Sequence, residues 1–166
     1  MDGEKEKLKN EKYNKLYLDI ATRISEMSFA RRLHVGAVIV KNDNIISFGW
    51  NGMPAGWDNN CEDKIYCDDG DWSEQQLPKN ENLPWLRYKL TTKPEVLHAE
   101  QNAIAKLAKS TESGDGATLF VTHAPCLDCA KLVYQTGINS VYYRNSYRSQ
   151  EGLAFLEKAG VKVNKV

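Results

Sequence analysis

The chain has 166 residues, 42% hydrophobic and 27% charged, which suits one domain that buries a core without disulfide bonds. Lysine plus arginine and aspartate plus glutamate total 22 each, so no net basic field attracts a nucleic acid, and a small-molecule substrate is favoured. Residues 1–13 are charged and the longest apolar run covers only 35–40, so neither a signal peptide nor a membrane span is expected.

Hydrophobic periodicity predicts the elements of the first half of the chain. Apolar residues at intervals of three and four predict an amphipathic helix over 13–27. Two short apolar runs around a turn cluster predict a hairpin with strands at 35–40 and 45–48. Prolines, asparagines and glycines then interrupt the pattern. We expect a loop-rich insert at about 57–96, ordered in part by its tryptophans, Trp57, Trp72 and Trp85.

The second half alternates helices and strands. The predicted elements are helix 98–109, strand 117–122, helix 126–135, strand 140–143, helix 150–158 and strand 161–163. Glycines at 137 and 160 end two of these helices. This alternation predicts a single α/β domain over residues 1–166, with helices on both faces of a sheet.

Two short motifs carry the chemistry. His98-Ala99-Glu100 is followed by Pro125-Cys126-Leu127-Asp128-Cys129, which is the H-x-E and P-C-x-x-C order of zinc-dependent nucleobase deaminases. A catalytic zinc site has three protein ligands and one open position, so His98, Cys126 and Cys129 are the predicted ligands of one zinc ion. Glu100 is then free to transfer protons between a water molecule and the substrate.

Each motif alone has other interpretations. A C-x-x-C pair is also found in redox sites and in structural zinc sites, where Cys61, Cys67, His34 or His123 would have to complete the ligands. The conjunction of both motifs favours the catalytic site. Thiolate ligands must stay reduced to bind a metal, so a cytoplasmic location is expected, in the host cytoplasm if the protein is viral.

Longer stretches around these motifs resemble the deoxycytidylate (dCMP) deaminase family. The resemblance extends from about residue 28 to 163 and rests on Val35-Gly36-Ala37, Gly49-Trp50-Asn51-Gly52-Met53-Pro54-Ala55-Gly56, His98-Ala99-Glu100-Gln101-Asn102-Ala103 and Pro125-Cys126-Leu127-Asp128-Cys129-Ala130-Lys131. It implies a cytidine-deaminase-like three-layer α/β/α sandwich with a mixed central sheet of about five strands. The implied activity is zinc-dependent hydrolysis of dCMP to dUMP and ammonia, which supplies thymidylate synthesis.

The resemblance also suggests residues that bind the substrate. Backbone groups at Ala99 and Ala124 would hold the base, and Asn51 would lie beside the sugar and base, although Asn51 could equally be a turn residue. Arg32 could bind the 5′-phosphate through its planar guanidinium. Tyr147, with Arg148, is a weaker phosphate candidate, since exposed loop residues of these types often have no specific role.

Regulation and assembly are further implications of the resemblance. Family members are typically homohexamers, activated by dCTP and inhibited by dTTP, and Mg2+ would accompany the triphosphate. Asn51, Gly52 and Gly56 are the candidate effector contacts, because backbone amides of a glycine-rich turn can approach a triphosphate closely.

Other features of the chain leave alternatives open. Ala30-Arg31 stands where relatives often have Asp-Pro or a cysteine. Cys61, Cys67 and His34 could bind a second, structural zinc or could be free loop residues, and the acidic residues around the two cysteines are interpreted as a solvated loop. The alternative functions are deamination of a base in tRNA or single-stranded DNA, and a zinc-stabilised binding module without catalysis.

Overall fold

A five-stranded mixed sheet forms the centre of the computed structural model, which describes residues 2–67 and 87–166. Its strand order is β2-β1-β5-β6-β7. The strands are β1 Gly36–Lys41, β2 Asn44–Trp50, β5 Thr118–His123, β6 Ser140–Asn145 and β7 Lys162–Lys165. β1 pairs antiparallel with β2 and β5, while β5, β6 and β7 run parallel. The parallel pairs need crossover connections, which α3 and α4 supply.

Helices cover both faces of this sheet. They are α1 Asp2–Ser25, α2 Ala99–Leu107, α3 Leu127–Gln135 and α4 Glu151–Lys158. Tyr17 and Leu18 of α1 pack on Val38 and Phe120, on one face of β1 and β5. The alternate residues of these strands, including Ile39 and Leu119, face the cluster that contains α2, α3 and α4. The predicted three-layer α/β/α sandwich is therefore confirmed.

The first helix is longer than its hydrophobic pattern predicts. We expected it over 13–27, but α1 begins at Asp2 and ends at Ser25. Residues 3–5 and 7–13 of this helix are exposed, and Leu8 among them is 61% exposed. Apolar periodicity detects only the part of a helix that packs on a core, whereas good helix formers such as lysine and glutamate extend it into solvent.

The insert contains regular structure that the sequence did not indicate. Strands β3 Glu62–Cys67 and β4 Arg87–Thr92 pair antiparallel as a separate two-stranded sheet, called here the β3–β4 hairpin. The expectation of a loop-rich segment is wrong for these residues. Trp57 is exposed, while Trp72 and Trp85 lie outside the described residues. In the described part of the chain, no helix is long and apolar enough to span a membrane.

Candidate active site

Two helix starts bring the predicted metal ligands together. His98 immediately precedes α2 and Cys126 immediately precedes α3, both with extended backbone, and Cys129 lies one turn into α3. The Nδ1 atom of His98 is 3.6 Å from Sγ of Cys126 and 3.3 Å from Sγ of Cys129. The three ligand atoms all lie within 4.8 Å of one another, and no other such group occurs among the residues described.

This arrangement fits a zinc ion. Zinc–sulfur bonds of about 2.3 Å and zinc–nitrogen bonds of about 2.0 Å at tetrahedral angles place nitrogen and sulfur roughly 3.6 Å apart. The observed separations of 3.6 and 3.3 Å match that value. One imidazole and two thiols also form a donor set that binds zinc in preference to hard cations such as Mg2+. With three protein ligands, one tetrahedral position is left for water or substrate.

Hydrogen bonds between the three side chains set their protonation. Hydrogen bonds from Cys129 and then from His98 lower the pKa of Cys126 to about 4. The same hydrogen bond to the Cys126 thiolate raises the pKa of Cys129, and burial raises it further. The hydrogen bond with Cys126 also raises the pKa of His98. Without metal, the site therefore holds one thiolate and keeps the Cys129 proton.

The predicted proton carrier lies beside the ligands. Glu100 is the second residue of α2, is only 4% exposed, and lines the same cavity as His98 and Cys126. Burial raises the pKa of its carboxyl group, while a hydrogen bond from Cys129 opposes that effect. A carboxyl group with a raised pKa can both accept and donate a proton near neutral pH.

Helix α2 is anchored tightly to strand β2. A Cβ atom at Gly49 would lie 2.4 Å from the carbonyl oxygen of Ala99 and 2.6 Å from the nitrogen of Ala103, so only glycine permits this approach. The hydroxyl of Ser47 donates to the Ala103 carbonyl at 2.6 Å. These contacts fix the helix that carries His98 and Glu100.

Helix α4 lies equally close to residues 125 and 126, where the segment that carries Cys126 and Cys129 begins. A Cβ atom at Gly152 would lie 2.1 Å from the carbonyl oxygen of Pro125 and 2.8 Å from the carbonyl carbon and oxygen of Cys126. Gly152 is buried in the first turn of α4. The position of Cys126 therefore depends on a residue without a side chain.

A cavity of about 480 Å³ joins the metal ligands to the predicted substrate residues. Those substrate residues, all of which line it, are Arg32, Asn51, Ala99, Ala124 and Tyr147. Ala99 opens α2, where backbone N–H groups have no partner within the helix. The N–H of Ala124 instead donates to the Asn145 carbonyl at 2.9 Å, so its own carbonyl is the group left to bind a base.

Asn51 uses its amide to hold the neighbouring chain. Its Oδ1 accepts from the Val35 N–H at 2.8 Å, and its Nδ2 donates to the Leu33 carbonyl at 2.8 Å. The asparagine thus stabilises the segment before β1 while it lines the cavity. An amide has two donor hydrogens and two acceptor lone pairs, so one of each remains for a ligand.

The glycines of the same loop differ from each other. The N–H of Gly52 donates to the Leu97 carbonyl at 3.0 Å, and the Leu97 N–H returns a bond of 2.9 Å. This amide is therefore not available to a triphosphate, contrary to the basis on which Gly52 was predicted. Gly56 has φ +86° and open space where a Cβ would stand, so it can still approach a ligand.

Adjacent arginines before β1 have different partners. Arg31 pairs with the buried Glu62 through Nε at 3.3 Å and also donates to Asn60. Arg32 donates from Nη1 to the Thr92 hydroxyl at 3.1 Å, and within the described residues it makes no ion pair. Arg32 therefore keeps a charged, partly free guanidinium at the cavity.

Several residues of the cavity wall were not predicted. Glu62, Thr91 and Thr92 of the β3–β4 hairpin line it, as does His123 at the end of β5. The Thr91 hydroxyl is buried and has no hydrogen-bond partner in the described part of the chain, and burial lowers the pKa of His123. Glu62 is buried, so it is not part of a solvated acidic loop as expected, whereas the side chain of Asp63 is 64% exposed. The run Glu62–Cys67 has no alternation of polar and apolar residues, so periodicity could not have indicated this strand.

The proposed second zinc site is only partly described. Cys61 is buried against Ala30 and Val96 and its thiol lies 3.4 Å from the Asn59 carbonyl, while His34 is exposed. The side chain of Cys67 lies outside the described residues.

Comparison with known proteins gives consistent matches along the chain. The family model described as the cytidine and deoxycytidylate deaminase zinc-binding region matches residues 10–145. Deoxycytidylate deaminase of Enterobacteria phage T4 is 35% identical over 169 residues, covering 88% of this chain and 86% of the relative. The human deoxycytidylate deaminase is 33% identical over 159 residues, covering 90% and 76%.

A solved structure agrees with both fold and sequence. The dCMP deaminase from cyanophage S-TIM5, in complex with dCMP and dUMP, is 40% identical with a TM-score of 0.75. The match covers 93% of this chain and 97% of that one. The cavity and its ligand cluster therefore occur in a fold shared with a protein that binds these nucleotides.

Proposed function

Because this chain belongs to the cytidine and deoxycytidylate deaminase family, we propose that it hydrolyses dCMP to dUMP and ammonia. The observation that carries this proposal is a single cavity lined by a His-Cys ligand set, the buried Glu100 and Arg32, which makes no ion pair within the described residues. Such a cavity can accept a nucleotide whose base lies at the metal ligands and whose phosphate meets the arginine.

The proposed chemistry uses a few side chains. His98, Cys126 and Cys129 would hold Zn2+, which when bound lowers the pKa of a water molecule. Glu100 takes a proton from that water, whose oxygen forms a bond to C4 of the cytosine, and gives the proton to ring N3. Glu100 then carries the remaining proton of that oxygen to the amino group, the C4–N bond breaks as the C4 carbonyl forms, and ammonia leaves.

The remaining cavity residues would orient the nucleotide. The Ala124 carbonyl is suited to accept from the exocyclic amine, and the Ala99 N–H is suited to donate to a base oxygen, because each retains that capacity. Asn51 would contact the sugar with its remaining donor and acceptor. Arg32, with Tyr147 and Arg148, would bind the 5′-phosphate.

Regulation and assembly follow the family resemblance. We propose a homohexamer that dCTP with Mg2+ activates and dTTP inhibits, with Asn51 and Gly56 among the effector contacts. The Gly52 amide is engaged with Leu97, so Gly52 would contribute by shaping the loop and not by donating to phosphate. The dUMP formed would supply thymidylate synthesis.

Ammonia release from dCMP by zinc-loaded protein tests the proposal directly. Turnover is expected without effectors, faster with dCTP and Mg2+, and slower with dTTP and Mg2+. Turnover that neither nucleotide changes would reject the effector contacts and keep the enzyme. Absence of turnover under all three conditions would reject dCMP as the substrate, and a labelled oligonucleotide would then be tested in its place.

A further inference from the structure

The β3–β4 hairpin is joined to the segment before β1 through one buried carboxylate. Glu62 is 1% exposed, yet it lines the cavity wall. Its Oε1 accepts from the backbone N–H groups of Arg31 at 2.9 Å and Arg32 at 3.2 Å. Its Oε2 accepts from Nε of Arg31 at 3.3 Å, and Nη2 of Arg31 also donates to the Glu62 carbonyl at 3.2 Å.

This bonding offsets the cost of burying a charge. An ionised carboxylate away from water is destabilising unless it is paired and hydrogen-bonded. Here Arg31 supplies the opposite charge and two backbone amides supply further donors. Because the Glu62 carboxylate is paired with Arg31, it does not compete with a phosphate for Arg32.

Arg32 is left in a defined place, and no carboxylate of the described residues pairs with its charge. Its backbone N–H is held by Glu62, and its side chain is held by the hydroxyl of Thr92, which is neutral. Thr92 and Glu62 face each other across the hairpin as register partners. Both ends of Arg32 are thus fixed by neighbouring residues of the same hairpin.

We infer that Glu62 is a positioning residue, which acts through Arg32 to set the affinity for the 5′-phosphate of the nucleotide. The inference rests on the proposed function, in which Arg32 binds that phosphate. It assigns the hairpin a role in recognising the substrate, whereas the chemistry stays with the residues of α2 and α3.

A double-mutant cycle tests whether Glu62 acts through Arg32. Zinc content, kcat and KM for dCMP are measured for the zinc-loaded wild type, Glu62→Gln, Arg32→Ala and the double variant. Glutamine keeps an acceptor but removes the charge that pairs with Arg31. We expect Glu62→Gln to raise KM about tenfold with kcat and zinc content retained. In the Arg32→Ala background the same change should alter KM by less than about twofold.

Asp63→Asn is the matched control. Asp63 is the next residue of the same strand, and its side chain is exposed, with Oδ1 3.8 Å from Nζ of Lys93. The Asp63→Asn substitution removes the same charge as Glu62→Gln. It should leave KM unchanged. An equal loss from Glu62→Gln in both backgrounds would overturn the inference, because Glu62 would then act independently of Arg32. An unchanged KM in the single Glu62→Gln variant would overturn it too.

Other outcomes separate this inference from the proposed function. If the wild type does not deaminate dCMP, the proposed function itself fails. If it does but Arg32→Ala has the wild-type KM, the phosphate contact is rejected and the inference with it. If Glu62→Gln does not fold, Thr92→Val removes only the hydroxyl bonded to Arg32. Thr92→Val should raise KM severalfold by itself, and it should cause no further rise when it is combined with Arg32→Ala. An unchanged KM in Thr92→Val alone would refute the inference.

Discussion

Replacing Gly152 by alanine should weaken zinc binding through a single added methyl group. The new Cβ would lie 2.1 Å from the Pro125 carbonyl oxygen and 2.8 Å from the carbonyl group of Cys126. Ordinary carbon–oxygen contact is about 3.3 Å, so α4 and the ligand segment must separate by roughly 1 Å. Zinc–ligand distances tolerate only about 0.2 Å of change. We expect the zinc affinity to fall about 10- to 100-fold and the free energy of unfolding to fall by about 1–3 kcal/mol.

Gly36→Ala provides a control with similar crowding away from the metal ligands. Its Cβ would lie 2.0 Å from the Ala21 carbonyl oxygen and 2.7 Å from the Ser25 nitrogen, between β1 and α1. Zinc affinity would be measured by competition with a chromogenic chelator, and stability by urea unfolding of the metal-free proteins. Both variants should be destabilised, and only Gly152→Ala should bind zinc more weakly. Equal zinc affinities in the two variants would refute the reasoning.

Three further predictions concern the active-site cavity. Glu100→Gln should retain zinc and lose about 10²- to 10⁴-fold in kcat, measured by ammonia release, and full activity would exclude Glu100 as the proton carrier. Burial raises the pKa of Glu100, so its ionisation destabilises the metal-free fold as pH rises above the unfolded pKa of about 4.3. The same variant should therefore unfold at higher urea than wild type at pH 7, with no difference at pH 3. Zinc binding at pH 7 should release at least one proton, because the pKa of Cys129 is raised while that of Cys126 is about 4. Calorimetry in buffers of different ionisation enthalpy would count the protons, and a count of zero would contradict the assigned protonation. Asn51→Ala should lower the free energy of unfolding by about 1–3 kcal/mol, since two backbone groups lose their partner, and urea unfolding that matches wild type would contradict this role.

The sequence carried enough information to identify the metal ligands as one group. His98 and Cys126 each stand directly before a helix, and Cys129 follows after one turn, so spacing along the chain already fixes much of the geometry. The alternating elements of the second half likewise predict parallel pairing, because a strand, a helix and a strand must connect by a crossover. Local patterns suffice where the function depends on residues close in sequence.

Residues that meet across the chain could not be found in the same way. Glu62 contacts the 31–32 segment and Thr92 contacts Arg32 across 60 positions, so no local periodicity connects them. The two arginines are also identical in type and adjacent. Within the described residues, only the buried carboxylate of Glu62 distinguishes Arg31, which it pairs with, from Arg32, which makes no ion pair there. Composition led to the interpretation of this insert as loop-rich, and strand pairing overrides it at 62–67 and 87–92.

In the proposed function, the proton carrier and the residues that position the phosphate contact lie on separate parts of this fold. Glu100 and Cys129 are buried on helices that belong to the main core, whereas Glu62 and Thr92 belong to a two-stranded sheet outside the central one. Among the described residues, the hairpin contacts the rest of the molecule through the Glu62 hydrogen bonds and the Thr92 hydrogen bond with Arg32, beside the small cluster of Cys61, Ala30 and Val96. Units that share few contacts can change with little effect on each other. Substitutions in the hairpin should therefore alter which nucleotide is bound while the zinc site and its proton carrier keep their geometry.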